Sequence, residues 1–117
     1  MKLFHNPRCS KSRTALKFFE ENNIRIEVVQ YQKEGISKQD AKKIVNNFDD
    51  DFRHLLRNSP LEDIHSDITY AEKVELLLQH VEHLQRPLLL TDDDCQIGRP
   101  LENFSTIQEL SRYFTLE

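Results

Sequence analysis

Phe4-His5-Asn6-Pro7-Arg8-Cys9-Ser10-Lys11-Ser12-Arg13 is the stretch on which the reading of the whole chain turns. Ahead of it, Met1 to Phe4 is an apolar run too short to be anything but a strand. Behind it, Thr14 to Asn23 is amphipathic, with Ala15, Phe18 and Phe19 spaced for one helical face. Cys9 therefore falls in a strand-to-helix loop, just before the first helical turn. The unpaired N–H groups and the dipole at that end of a helix favour a thiolate over a thiol. Arg8, Lys11, Arg13 and His5 flank Cys9 and are expected to act in the same direction by charge. Cations in a first helical turn oppose the dipole, so three of them there point to a site that takes an anion. The plainer alternative is a buried, inert cysteine with solvated neighbours, but the flanking pattern favours a reactive one.

The surrounding composition restricts the options. The chain has 117 residues, 38% apolar and 31% charged, which suits one domain with a single core. A net charge of −4 argues against general nucleic-acid binding. There is no run of about 18 apolar residues and no signal-peptide pattern, so no membrane association and a cytoplasmic location are expected. Cys9 and Cys95 are the only cysteines, in neither a Cys-x-x-Cys pair nor a zinc ligand set, and both are expected to be free thiols.

The rest of the chain follows in order. Asn22-Asn23 is a helix stop. Arg25 to Tyr31, with Ile26 and Val28 alternating against charged residues, is a second strand, and the helix between the two strands implies a parallel β-α-β unit. Gly35 marks a turn. Ser37 is the expected N-cap of the next helix, with Asp40 completing an approximate capping box, and Ala41, Ile44, Val45 and Phe48 form its apolar stripe. Asp49-Asp50-Asp51 is read as an acidic start to a short helix rather than a metal site. Phe52, Leu55 and Leu56 of that helix face inward, it ends at Arg57-Asn58, and Ser59-Pro60 breaks it. From Thr69, the residues Tyr70, Val74, Leu77, Leu78 and Val81 define another amphipathic helix. His80 and His83 near its end are read as cations at a helix C-terminus, not as metal ligands. Leu88-Leu89-Leu90 is a buried central strand, Asp92-Asp93-Asp94 a hairpin turn and Cys95 to Gly98 the antiparallel return strand. Phe104, Ile107, Leu110 and Phe114 line a C-terminal helix. Periodicity alone gives an α/β class.

The nine residues His5 to Arg13 closely resemble the active-site loop of the glutaredoxin-dependent arsenate reductase (ArsC-like) family, most of all its short chromosomal members. The resemblance extends over nearly the whole chain. It implies one domain over 1–117 with a thioredoxin-like fold. The fold has a mixed four-stranded sheet, β-α-β then β-β-α, with a helical segment inserted at about 37–83. In such folds the proline before the third strand is commonly cis and abuts the active-site loop; Pro87 holds that position. The family also places three arginines around the active cysteine. Here Arg57 in Phe52-Arg53-His54-Leu55-Leu56-Arg57, Arg86 in Arg86-Pro87 and Arg99 in Gly98-Arg99-Pro100 match those landmarks. Arginine suits the task because its planar fork donates bidentately to tetrahedral oxyanions and stays charged.

The implied reaction has Cys9 attack arsenate as a thiolate, displacing water to give a thiol–arsenate adduct. His5 and the helix N-terminus would lower the Cys9 pKa, and Ser12 could hydrogen-bond the sulfur or an oxyanion. Arg57, Arg86 and Arg99 would hold the oxyanion. With Ser12 closing a Cys-x-x-Ser loop, no second cysteine is placed to resolve the adduct. The family uses glutathione as co-substrate and then glutaredoxin; no bound cofactor and no metal are implied. Three other readings compete. A redox-sensing transcriptional regulator of the Spx type shares the fold but typically carries Cys-x-x-Cys and lacks the Arg99-Pro100 landmark. A monothiol glutaredoxin-like thiol transferase leaves the three arginines unexplained. A Cys-x5-Arg phosphatase loop requires Arg where Ala15 stands. Cys95, on the return strand, is read as a small buried hydrophobe.

Overall fold

The computed structural model describes residues 1–57 and 67–114; the expected Ser59-Pro60 break lies outside them. Four three-residue strands, β1 (Lys2–Phe4), β2 (Glu27–Val29), β3 (Leu88–Leu90) and β4 (Cys95–Ile97), form one sheet in the order β2-β1-β3-β4. β1 runs parallel to β2, and antiparallel pairing joins β1 to β3 and β3 to β4. This is the mixed sheet of a thioredoxin-like fold. The Leu88-Leu89-Leu90 run is central and buried on both faces, as its uninterrupted apolar character requires.

Alternation along the two central strands divides the core. Phe4, Leu88 and Leu90 face one side, where they meet Ile44 of α3 (Lys38–Asn47) and Val74 and Leu77 of α4 (Tyr70–Gln79). Leu3 and Leu89 face the other, against Ala15 and Phe19 of α1 (Ser10–Glu21) and Phe104, Ile107 and Leu110 of the C-terminal segment. α2 is the short helix Tyr31–Glu34 after β2, closed by Gly35 at φ 74, a backbone conformation glycine adopts without steric cost.

Local signals place the helix ends. Ser37 accepts a hydrogen bond from Asp40 N at 3.0 Å and caps α3. The Asp40 carboxylate, however, pairs with Lys2 Nζ at 2.8 Å and so ties α3 to β1. Thr69 and Glu72 form a complete capping box on α4. Asp51 caps a 3-10 turn, Phe52–Leu55, in place of the expected longer helix. Asn23, at φ 55, ends α1.

Several expectations are corrected. α1 starts at Ser10, earlier than Thr14, because Cys9 with extended backbone is itself the N-cap. β2 is shorter than Arg25 to Tyr31, and Val28 is 36% exposed on this edge strand. Tyr70 is 48% exposed, and its hydroxyl donates to Lys42 O at 3.1 Å. The C-terminal helix is two 3-10 segments, Leu101–Thr106 and Gln108–Phe114. Phe104, Ile107 and Leu110 recur every third residue, which is the period of a 3-10 helix, not an α-helix.

Candidate active site

The loop between β1 and α1 is folded around Asn6, which is 4% exposed. Asn6 N donates to Ser12 Oγ at 3.3 Å, its Oδ1 accepts from Arg8 N at 3.0 Å and its carbonyl accepts from Cys9 N at 3.0 Å. His5 N continues the pairing beyond β1 by donating to Val29 O at 2.9 Å. Asn6 thus fixes both the approach to Cys9 and the first turn of α1. The sequence reading missed it, although Asn before Pro is a turn signal.

Cys9 is partly exposed and its pKa is lowered from 9.0 to about 7. Burial is the largest single influence and acts the other way, raising it. The Ser12 N–H, a hydrogen bond from Arg86, the Lys11 N–H and the Arg86 charge together outweigh it. Lys11 and Ser12 are the second and third residues of α1, so the sulfur occupies the place where a capping oxygen normally sits. Sγ makes no cap hydrogen bond of standard geometry. The N–H groups nonetheless face it and favour its negative form. At pH 7 a thiol with that pKa is about half thiolate, against about 1% for a pKa of 9.

The flanking side chains contribute differently from the expectation. Lys11 acts through its backbone, and Arg13 Nη1 turns to Pro7 O at 2.9 Å. The Ser12 and Lys11 N–H groups and Arg86 lower the Cys9 pKa more than the charges of Arg8 and Arg13 do. His5 is 4% exposed, and burial holds its pKa below 6.5; the Ser12 backbone opposes this and the Arg13 charge reinforces it. His5 is therefore neutral at pH 7 and does not stabilise the thiolate by charge. Ser12 is fully buried, with its hydroxyl committed to Asn6 and its N–H facing the sulfur.

The three arginines arrive from separate segments. Leu56 and Leu84 form an isolated antiparallel bridge, reinforced by Arg57 N to His83 O at 2.7 Å and Gln85 N to Leu55 O at 2.8 Å. This small ladder sets Arg57 beside the segment that leads to Arg86. The Arg86–Pro87 bond is cis, as the resemblance implies, and Arg99–Pro100 is also cis, which the sequence reading did not anticipate. Gly98 N donates to Pro87 O at 2.8 Å, and a Cβ on Gly98 would lie 2.5 Å from Phe104 Cζ, so any larger residue ahead of Arg99 must displace the buried Phe104 ring. Arg99 Nη1 lies 3.9 Å from Cys9 Sγ and 3.3 Å from Arg86 O. Arg86 and Arg99 thus both face the sulfur. Arg57 acts instead on the phenol of Tyr31, alongside Arg86.

Two buried polar atoms at this site, Arg86 Nε and His5 Nδ1, have no hydrogen-bond partner among the described residues. A guanidinium N–H left unpaired beside a thiolate is costly unless a ligand oxygen completes it. The arrangement can therefore receive a small oxyanion next to an ionised sulfur. Cys95 is 2% exposed on β4, and burial pushes its thiol far up, so it stays protonated. Among the described residues no group of three or more His, Cys, Asp or Glu is placed to hold a metal ion, and no helix is long and apolar enough to cross a membrane.

Comparison with known proteins gives the family and supports the fold. The arsenate reductase of Neisseria meningitidis serogroup A is 33% identical over 119 residues, covering 92% of this chain and 97% of that protein. The arsenate reductase of Haemophilus influenzae is 29% identical, with 86% and 91% covered. A solved Yersinia pestis structure superposes with a TM-score of 0.74 at 29% identity, covering 91% of this chain and 98% of that one. The arsenate reductase structure from Vibrio cholerae gives a TM-score of 0.74 at 24% identity, with 92% and 98% covered, and supports the fold alone. The ArsC family model matches residues 4–107, and the chain belongs to the ArsC family.

Proposed function

We propose that this protein is an arsenate reductase that works through a Cys9 thiol–arsenate adduct resolved by glutathione and glutaredoxin. The observation that carries the reading is a thiol with a pKa of about 7, faced by Arg86 and Arg99, with the buried Arg86 Nε unpaired among the described residues. Arsenate carries one to two negative charges near neutrality, and bringing it to a thiolate requires fixed cations. Cys9 forms the S–As bond and one oxygen leaves as water after protonation. Arg86 and Arg99 bind the remaining oxygens, with Arg57 supporting them from the ladder. Ser12 serves through its N–H, and neutral His5 is a hydrogen-bonding group toward an oxyanion or a leaving oxygen. Pro87 shapes the loop that carries Arg86.

Reduction of As(V) to As(III) takes two electrons. Cys95 is buried and protonated, so this chain offers no accessible second thiol. Two external thiols supply the electrons by becoming one disulfide, and Cys9 returns as a thiol. Glutathione and glutaredoxin fit that requirement in a reducing cytoplasm. The test is arsenate-dependent NADPH oxidation coupled through glutathione, glutaredoxin and glutathione reductase. Oxidation that needs arsenate, glutathione and glutaredoxin together supports the reading. Turnover of a glutathione mixed disulfide with no response to arsenate moves the assignment to a thiol transferase.

A further inference from the structure

Tyr31 is the bulkiest fully buried side chain among the described residues, and no step above uses it. Its place in the core could be filled by phenylalanine, so the hydroxyl needs a separate explanation. That hydroxyl donates to Leu84 O at 3.4 Å. Leu84 is the centre of the ladder with Leu56, between the Arg57 N to His83 O and Gln85 N to Leu55 O bonds. The same ladder carries Arg57 at one end and leads into Arg86 at the other. The Leu84 contact is long for an O–H···O bond. The Asn6 side chain also acts on the phenol, favouring its ionised form. Asn6 in turn holds Cys9 N and Ser12 Oγ. The phenol therefore stands between the two halves of the site.

We infer that Tyr31 is a positioning residue whose buried hydroxyl ties the Leu84 carbonyl of the arginine-bearing ladder to Asn6 of the Cys9 loop, holding Arg86 in register with the sulfur. Burial raises the phenol's pKa above 10, against the lowering effects of Arg86, Asn6 and Arg57, so it stays a neutral donor at working pH. Proton transfer near neutrality is thereby excluded as its role. The inference concerns the environment of the cysteine; only its phosphate readout rests on the proposed function.

The experiment is Tyr31→Phe, which keeps the ring and removes the hydroxyl. Alkylation of Cys9 is followed against pH, with and without inorganic phosphate as a protecting oxyanion. The wild-type inflection should lie at about 7. In Tyr31→Phe it should rise toward the free-thiol value, and phosphate protection should weaken by about three- to ten-fold, the equivalent of one hydrogen bond. Val74→Ala, a core truncation between α3 and α4, is the control: it should lower stability without moving either readout. An unchanged inflection in Tyr31→Phe, or an equal shift in Val74→Ala, overturns the inference. If phosphate fails to protect the wild type, the oxyanion reading fails and the inflection alone decides on Tyr31. A measurement on the unmutated protein guards against a variant that does not fold. With 13C at the ring ζ position of all three tyrosines, the Tyr31 resonance should titrate with Cys9 while Tyr70 and Tyr113 do not. A silent Tyr31 resonance contradicts the inference.

Discussion

Replacing Arg86 by methionine keeps much of the side-chain volume and removes the guanidinium that both hydrogen-bonds Cys9 and acts on it by charge. Of the influences lowering this thiol's pKa, those two disappear, leaving the Ser12 and Lys11 N–H groups and the Arg99 guanidinium, 3.9 Å from Sγ, against burial. Loss of an adjacent opposite charge moves a pKa by about 1 to 3 units, so the Cys9 inflection should rise from about 7 to at least about 8. At pH 7 the thiolate fraction then falls from about one half to about one tenth or less. The absolute alkylation rate will fall less than this, because a more basic thiolate is intrinsically more nucleophilic, with a Brønsted slope of about 0.4 to 0.5. The inflection is therefore the quantity to measure. Iodoacetamide labelling followed by intact-mass spectrometry from pH 5 to 10 gives it directly. Arg86→Lys keeps the charge but loses the fork and should fall between the two. An Arg86→Met inflection within about 0.3 units of wild type would refute the reasoning and assign the depressed pKa to the helix N-terminus and Arg99.

Three other perturbations test separate parts of the account. Because burial lowers the folded-state pKa of His5, the unfolded chain binds that proton more readily. The stability His5 provides is therefore present above about 6.5 and lost as pH falls below it. Urea midpoints should show that loss in wild type and a reduced slope in His5→Gln; equal slopes in the two would contradict it. Gly98→Ala drives a methyl into the Phe104 ring and should cost about 1 to 3 kcal/mol by urea denaturation, whereas an unchanged midpoint would show that the ring yields freely. Cys95→Ala should leave one alkylatable thiol under native conditions, as in wild type, and retain activity, while Cys9→Ser abolishes both. Inactivity of Cys95→Ala with a normal melting curve would overturn the assignment of the reactive thiol.

Sequence disclosed the features that depend on neighbours along the chain. The Leu88-Leu89-Leu90 run, the Asp92-Asp93-Asp94 turn, the Ser37 cap and the amphipathic helix from Thr69 are local or periodic, and each holds in the structure. The four-residue helix Tyr31–Glu34 was missed because it is barely one turn and carries no period. The C-terminal segment was read as α-helix, although its apolar residues recur at intervals of three. At the site, adjacency in sequence misled: Arg8 and Arg13 flank Cys9, but the larger influences on its pKa are burial, the Ser12 and Lys11 N–H groups and Arg86. The cations that face the sulfur, Arg86 and Arg99, are remote in sequence and were named only through the family resemblance. His5 was assigned a charge that its burial removes. The Asn6–Tyr31–Leu84 link had no sequence signal, since it depends on a strand end, a short helix and a bridge that only folding brings together.

The central claim is that Cys9 converts arsenate to arsenite with electrons from external thiols. Its most direct test is arsenic speciation by liquid chromatography and elemental mass spectrometry after incubating purified protein with arsenate, glutathione and glutaredoxin. The account predicts catalytic arsenite from wild type and Cys95→Ala, none above background from Cys9→Ser, and none above background when glutathione and glutaredoxin are withheld. Arsenite formed equally by Cys9→Ser, or none formed by wild type with every component present, would contradict it.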